Sequence, residues 1–237
     1  MINIVNNILH SNGYERIDIK NQINVKDLYV FHLPKESKRE EYFVTIQLQN
    51  QSDTAAQELL EEKAQTLFEE ISNSGQVDRP FEKNCTMIIC HEEEKISRKT
   101  ILSIEEDHYN FKKNVITYTS NELTSLKYYL TSAGIEKITN KVISEIINSN
   151  DGRNFLKFKD DHANNKDYYS LTLKTALKLP FITYTPQEQK LTNLNEDIQN
   201  SLSLYQSSIY RKLMEIDTEW TDENIHYRVA NIWENQA

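Results

Sequence analysis

YFVTIQL, residues 42–48, is the run from which the fold class of this chain follows. Its even-numbered positions are all apolar and its odd-numbered positions are mixed. Because successive side chains of a strand point to opposite faces, this period predicts a β-strand with one face in a core and a mixed opposite face. From Asp53 the apolar spacing changes to three and four residues, which predicts an amphipathic helix ending near Ser74-Gly75. Its apolar stripe consists of Ala56, Leu59, Leu60, Ala64, Leu67, Phe68 and Ile71.

Further strand patterns lie on both sides of this strand and helix. Apolar and polar residues alternate over residues 17–25, as in a half-buried strand. Residues 28–33 are apolar on both faces, which predicts a central strand that ends before Pro34. Residues 86–89 predict a short buried strand, and residues 100–104 fit either a strand or a short helix.

Helical patterns dominate after residue 118. Thr119 and Glu122 have the spacing of a capping box, which predicts a helix start, and Gly134 is expected to end that helix. A second helix is predicted over residues 135–147 and is closed by the turn signal Asn150-Asp151-Gly152.

The strongest helical period predicts one amphipathic helix of about seven turns. Its apolar positions are Leu191, Leu194, Ile198, Leu202, Tyr205, Ile209, Leu213 and Ile216. Such a helix either packs within its own helical layer or forms a coiled-coil-like seam with a partner. The chain is therefore predicted to be an α+β protein, with a mixed strand-helix region over residues 1–118 and a helical region over residues 119–237 in one compact unit.

Composition limits the function classes. The formal charge of -9 and pI near 5.3 disfavour binding of a nucleic-acid backbone by the overall surface charge. Residues 1–11 lack the pattern of a secretory signal, and no apolar run reaches the length of a membrane span, so a cytoplasmic location is predicted. Cys85 and Cys90 are expected on opposite faces of one strand, which argues against a disulfide or a metal shared between them.

No familiar catalytic motif is present. The four glycines are too dispersed for a phosphate-binding loop, and no serine lies in a glycine-flanked nucleophile elbow. The six histidines never pair at zinc-hydrolase spacing, and the run HEEE, residues 91–94, is predicted to be an acidic turn after a strand. We therefore predict an interaction protein without catalytic, cofactor-binding or metal-ligating residues.

The 104–113 segment, IEEDHYNFKK, is the exception that invites a functional interpretation, because it clusters acids, aromatic rings and lysines between apolar runs. In one interpretation an acid caps or pairs with Lys112 or Lys113, the other acids are solvated, and Tyr109 and Phe111 anchor the turn in the core. In a second, the segment is a docking surface. The candidate docking residues are Glu105, Glu106, Asp107, Tyr109, Phe111, Lys112 and Lys113.

A third interpretation is catalytic. Clustered carboxylates can bind a divalent metal ion, so the alternative function is a metal-dependent nuclease or phosphodiesterase that uses Glu105, Glu106 or Asp107. Consecutive acids need a bend in the backbone to converge on one ion. The strand at residues 42–48 also lacks the acid and the lysine expected in a nuclease site.

Three stretches together resemble a known family. They are NCTMII at residues 84–89, IEEDHYNFKKNVITYT at residues 104–119 and LKLPFI at residues 177–182. In this order they resemble the middle component of bacterial ABC three-component conflict systems, which overlap the Lamassu-type defence systems. His108 departs from the family pattern, in which a proline is expected.

This resemblance implies an accessory subunit encoded beside an SMC-like ABC ATPase and a toxic effector, often a nuclease. The middle component would bridge or restrain these two partners, and DNA would reach it only through the complex. The family has no catalytic motif of its own.

Overall fold

The computed structural model describes residues 1–19, 27–37, 39–161, 164–184, 194–214 and 221–233. The chain divides into two compact units, Met1–Gln187 and Glu188–Ala237. The first unit contains a five-stranded sheet with helices on both faces, and helices dominate the second half of the chain. The predicted α+β class is therefore confirmed.

The first unit begins with a helix and alternates strands and helices before it becomes helical. Its elements are α1 (Ile2–Ser11), β1 (Glu15–Ile17), β2 (Asp27–His32), β3 (Tyr42–Gln47), α2 (Asp53–Glu58), a π-helical turn (Leu59–Lys63), α3 (Ala64–Ser72), a 3-10 turn (Arg79–Glu82), β4 (Cys85–Glu92), a second 3-10 turn (Glu93–Lys95), α4 (Arg98–Glu106), β5 (Lys112–Tyr118), α5 (Ser120–Ser132), α6 (Asn140–Ile147), a third 3-10 turn (Ser149–Gly152), α7 (Arg153–Asp160) and α8 (Tyr168–Lys178). The last strand ends at Tyr118, where the helical region was predicted to begin. The predicted boundary between regions 1–118 and 119–237 thus separates the strand-containing part of the chain from the helical part. Whether these regions are domains stays a prediction.

The strands lie in the sheet in chain order, from β1 to β5. The pairs β1–β2 and β2–β3 are antiparallel, and the pairs β3–β4 and β4–β5 are parallel. The parallel pairs need crossovers, and these are formed by α2–α3 and by α4. The sheet is consequently mixed, with an antiparallel half followed by a parallel half.

Each face of the sheet has its own core. One core includes Val44, Met87 and Phe81 with residues of α2, α3 and α4, and the other includes Phe43 and Ile88 with residues of α1, α5, α6 and α8. The second face of β3 was predicted to be mixed, but it also packs against a core. Thr45 on this face is fully buried beneath α1, and its hydroxyl donates to Asn6 Oδ1 at 2.7 Å.

The two cysteines confirm the predicted strand geometry. Cys85 belongs to the core on the α2–α4 side, whereas Cys90 belongs to the core on the opposite face. Both thiols are free and buried. Burial raises the pKa of Cys85 well above its usual value and that of Cys90 to about 12, so both remain protonated and unreactive at neutral pH.

One open prediction is settled and one helical prediction needs correction. Residues 100–104 lie in α4, which settles the choice between strand and helix. The long helix of the C-terminal unit is instead two helices, α9 (Leu194–Ser201) and α10 (Leu204–Met214), because Ser203 begins a new helix. Its hydroxyl accepts from the amide of Gln206 and its amide donates to Gln206 Oε1, which is a local capping box. Leu191 and Ile216 lie outside the described residues.

The second unit also contains α11 (Ile225–Trp233), which packs against α10. Large apolar side chains are exposed along its three helices. They are Ile198, Leu204, Tyr205, Leu213, Met214, Ile225, Tyr227, Val229 and Trp233. In the part of the chain that the structure describes, no helix is long and apolar enough to cross a membrane.

Candidate docking site

The 104–113 segment joins the last turn of α4 to the first residues of β5. α4 is capped by Ser97, whose hydroxyl accepts from the amide of Thr100, and it ends at Glu106. The chain then turns back through Asn110, which has a positive φ of 64°, a conformation that asparagine tolerates better than most residues. This tight return brings the acids at the end of the helix beside the lysines at the start of the strand.

Lys113 is buried, and its ammonium group is held within the segment itself. It forms an ion pair with Asp107 and donates to the backbone oxygens of Tyr109 at 2.6 Å and Phe111 at 3.3 Å. The Lys113 side chain is 1% exposed, and its three N–H groups thus find three acceptors. The Asp107 carboxylate also accepts from the amide of Tyr109. The predicted pairing of an acid with Lys113 is confirmed, but the expectation that the other acids are solvated is wrong for Glu105.

Glu105 connects α4 with two other elements. Its Oε1 accepts from the amide of Val115 on β5 at 2.9 Å, and its two oxygens lie 2.6 and 2.7 Å from Lys178 Nζ at the end of α8. A carboxylate that accepts from an amide and an ammonium is already neutralised and hydrogen-bonded. Glu105 therefore fastens α4, β5 and α8 to one another.

The remaining members of the segment divide into buried and exposed residues. Phe111 is buried and packs against Phe68, with ring centroids 5.2 Å apart, whereas Glu106, Tyr109 and Lys112 are exposed. Tyr109 is 78% exposed, so the expectation that it anchors the turn in the core is wrong. Docking by the segment stays a prediction, and only its exposed members can meet a partner without opening the fold.

The three consecutive acids do not converge on one point. Glu105 forms an ion pair with Lys178, Asp107 forms one with Lys113, and Glu106 faces solvent. Among the residues that the structure describes, no three His, Cys, Asp or Glu side chains are arranged to hold a metal ion. The metal-dependent nuclease or phosphodiesterase remains an alternative hypothesis, and the arrangement of these carboxylates does not favour it.

We expect calorimetric titration with Mg²⁺ or Mn²⁺ to give no saturable binding up to about 1 mM, the weak end of protein sites for such cations. The reason is that a metal ion would have to displace Lys113 from Asp107. The control is the double variant Asp107→Ala/Lys113→Met, which removes the pair without leaving a buried charge. Binding by the wild type that this variant loses, together with DNA cleavage, would favour the enzyme.

A second charged cluster, which the sequence did not reveal, lies where β4 ends and α5 begins. Glu122 is fully buried and completes the predicted capping box, since it accepts from the amide of Thr119 at 2.8 Å. It also accepts from the hydroxyl of Ser170 at 2.8 Å and pairs with Lys174 at 2.8 Å. Its carboxylate thus joins α5 to α8.

Glu93 extends this cluster to the end of β4. It pairs with Lys166 at 2.6 Å and also with Lys174. Burial would raise the pKa of Glu93, but the hydrogen bonds from the two lysines outweigh burial and hold the pKa below its ordinary value. The acidic turn predicted for residues 91–94 is thus present only in its second half, because His91 and Glu92 still belong to β4 and the 3-10 turn begins at Glu93; the ion pairs of Glu93 were not predicted.

The comparisons with known proteins concern a part of the chain that holds the acids of both clusters, whereas their partners Lys166, Ser170, Lys174 and Lys178 lie beyond it. Residues 41–146 match the family model of the ABC-three component (ABC-3C) system Middle Component 1. This Middle Component 1 match spans a little under half of the chain, from the residue before β3 into α6, and it includes the whole 104–113 segment. It supports the middle-component resemblance. Neither the curated proteins nor the solved structures gave a match.

Proposed function

We propose that this protein is a non-catalytic accessory subunit of a bacterial ABC-3C defence complex of the Lamassu type. In this proposal it bridges or restrains an SMC-like ABC ATPase and a toxic effector such as a nuclease. The observation that carries the proposal is the Middle Component 1 match over residues 41–146. The subunit acts in the cytoplasm and meets DNA only through the complex.

The chemistry of the charged clusters supports a structural role. The Asp107, Glu105, Glu93 and Glu122 carboxylates all accept from lysines of the same chain. A general acid or base needs access to a substrate, and a metal ligand needs a free lone pair. Carboxylates used in this way fasten helices to the sheet and do not form an open reaction centre.

The exposed apolar residues support a role in binding. Tyr109, Tyr128 and Tyr227 are each more than 70% exposed, and Trp233 is half exposed. Aromatic side chains are enriched in the buried centres of protein interfaces, where they contribute much of the binding energy. A subunit that holds two other proteins together would use such residues.

The proposal predicts that the tagged protein co-purifies with the products of its neighbouring genes when all are expressed together. The assembly would keep the effector inactive until foreign DNA or a phage signal changes the state of the ATPase. The measurement is the composition and mass of the purified complex. A protein that elutes alone, in the presence of both folded neighbours, would contradict the proposal.

The same complex tests the exposed part of the 104–113 segment. We expect Tyr109→Ala/Lys112→Glu to weaken assembly without changing the thermal unfolding temperature, because both side chains are exposed. Lys99→Glu is the matched control, since Lys99 is an exposed lysine on the neighbouring α4. Assembly that both variants leave unchanged would remove the segment from the interface.

A further inference from the structure

The C-terminal end of α1 carries the one Asn–Gly pair of the chain, Asn12-Gly13. An asparagine before glycine is especially prone to spontaneous deamidation, because glycine has no side chain to hinder attack by its backbone nitrogen. In this reaction the Gly13 nitrogen gives up its proton and bonds to Asn12 Cγ, and Nδ2 leaves with that proton as ammonia. Water then opens the resulting succinimide ring to aspartate or to isoaspartate.

The polar atoms of the Asn12 side chain all have partners. Nδ2 donates to the backbone oxygen of Ile8 at 2.7 Å and to that of Ile138 at 3.2 Å, and Oδ1 accepts from the amide of Asn140 at 2.8 Å. A side-chain amide has two N–H donors and one oxygen, so both donors and the oxygen are engaged. Asn12 therefore joins the end of α1 to the first residue of α6 and to the segment before it.

The backbone around Asn12 is held in a geometry that does not react. Asn12 has a ψ of 20°, which places the Gly13 nitrogen on the far side of the Cα–C bond from Cβ. Ring closure needs this nitrogen and Cγ on the same side. The Gly13 amide also donates to the backbone oxygen of His10 at 3.2 Å. Attack on Asn12 thus requires the end of α1 to rearrange and its side chain to leave residues 138–140.

Asn7, nearer the middle of α1, fastens the helix to the same segment. Its Nδ2 donates to the backbone oxygen of Glu136 at 2.8 Å, and its Oδ1 accepts from the amide of Ile138 at 3.0 Å. We call the contacts of Asn7 and Asn12 with residues 136–140 the α1–α6 junction. Both asparagines are only half-buried, and local opening of such surface contacts costs less free energy than global unfolding. Asn7 therefore helps to set how often Asn12 is released.

We propose that Asn12 is a conditional deamidation site, which the closed α1–α6 junction protects and which opening of the junction makes reactive. The reaction then makes the opening permanent. Aspartate has no N–H for the Ile138 oxygen, and isoaspartate adds a backbone carbon to the turn at Gly13, where φ is 91°. A negative charge here is favourable at the start of α6 and unfavourable at the end of α1, so the lost hydrogen bonds decide the outcome. This inference does not depend on the proposed function.

The first test is peptide mapping by mass spectrometry after incubation of the full chain at mildly alkaline pH. We expect Asn12 to deamidate at least about tenfold more slowly in the folded protein than in urea, because only the open state reacts. Asn73 is the internal reference, since it is exposed and precedes the small residue Ser74, and its rate should change much less. A rate at Asn12 that is the same in the folded protein and in urea would overturn the inference.

The second test opens the junction without changing the reacting pair. Asn7→Ala removes the two hydrogen bonds of Asn7 to residues 136–138, and we expect it to speed deamidation of Asn12 in the folded protein by at least about threefold. Asn121→Ala is the matched control, because it removes a comparable bond to the backbone oxygen of Lys166 and should leave the rate unchanged. Equal rates for the wild type and Asn7→Ala would show that the junction does not protect Asn12.

The third test uses aged wild-type protein and needs no variant. The deamidated form carries one additional negative charge, so ion-exchange chromatography separates it from the intact form. We expect the deamidated form to unfold at least about 2 °C lower than the intact form. If both forms unfold at the same temperature, the reaction does not hold the junction open, and this part of the inference fails.

Discussion

Asp107→Ala is expected to lower the free energy of unfolding by about 3 kcal/mol, the lower end of the cost of removing one partner from a buried ion pair, because Lys113 is buried but the Asp107 side chain is 25% exposed. The substitution leaves the Lys113 ammonium in the core with only the backbone oxygens of Tyr109 and Phe111. Two carbonyl dipoles do not replace a full negative charge. The measurement is the urea denaturation midpoint of the full chain, followed by circular dichroism.

Two further variants separate the ion pair from simple loss of a side chain. Glu106→Ala removes the exposed neighbouring carboxylate and should cost less than about 0.5 kcal/mol. Adding Lys113→Met to Asp107→Ala should recover more than half of the loss, because a thioether chain of similar length does not carry a charge into the core. If Asp107→Ala costs no more than Glu106→Ala, the pair does not stabilise the fold.

Glu122→Ala should be comparably harmful, at about 3–5 kcal/mol, although the residue is recognisable from the sequence only as a helix cap. The substitution leaves the amide of Thr119 and the hydroxyl of Ser170 without their acceptor and removes one of the two carboxylates that pair with Lys174. The same denaturation measurement applies.

Thr119→Ala is the control that distinguishes these contributions. It removes the other half of the capping box, and loss of such a cap costs about 1 kcal/mol. Glu122→Gln keeps a side-chain oxygen for the amide but loses the charge opposite Lys174, and we expect an intermediate effect. Equal losses for Thr119→Ala and Glu122→Ala would show that Glu122 serves as a cap alone.

These stability effects bear on every functional test of the acids. A variant such as Asp107→Ala will lose assembly, or any other activity, if it unfolds. Exposed positions such as Glu106, Tyr109 and Lys112 avoid this confusion, because their side chains do not contribute to the core. An effect of these positions on assembly can be assigned to the surface itself.

Local patterns predicted the parts of the fold that depend on neighbouring residues. The strand at residues 42–48 and the Thr119–Glu122 capping box are both present. Helix α1 was not predicted, although Ile2, Val5 and Leu9 have helical spacing that could have revealed it. The predicted helix through residues 191–216 failed because the capping box at Ser203 competes with a continuing apolar period.

The candidate site was predictable only in part, for a related reason. Asp107 and Lys113 are six residues apart, so their pairing could be considered from the sequence. Glu105 and Lys178 are 73 residues apart, and Glu122 and Lys174 are 52 apart. No local pattern relates such residues, because the fold of α8 against α5 and β5 brings them together. Because of this separation along the chain, the sequence alone did not show that these acids already pair with lysines.

The bond between Glu105 and the amide of Val115 also affects how other molecules can attach to the sheet. β5 is an outer strand, and the open backbone of an outer strand is a template for an added strand from another chain. A carboxylate on that amide blocks β-augmentation at this position, and at the opposite margin β1 offers a strand of only three residues. The two margins of the sheet are thereby less open to the addition of a strand from another chain.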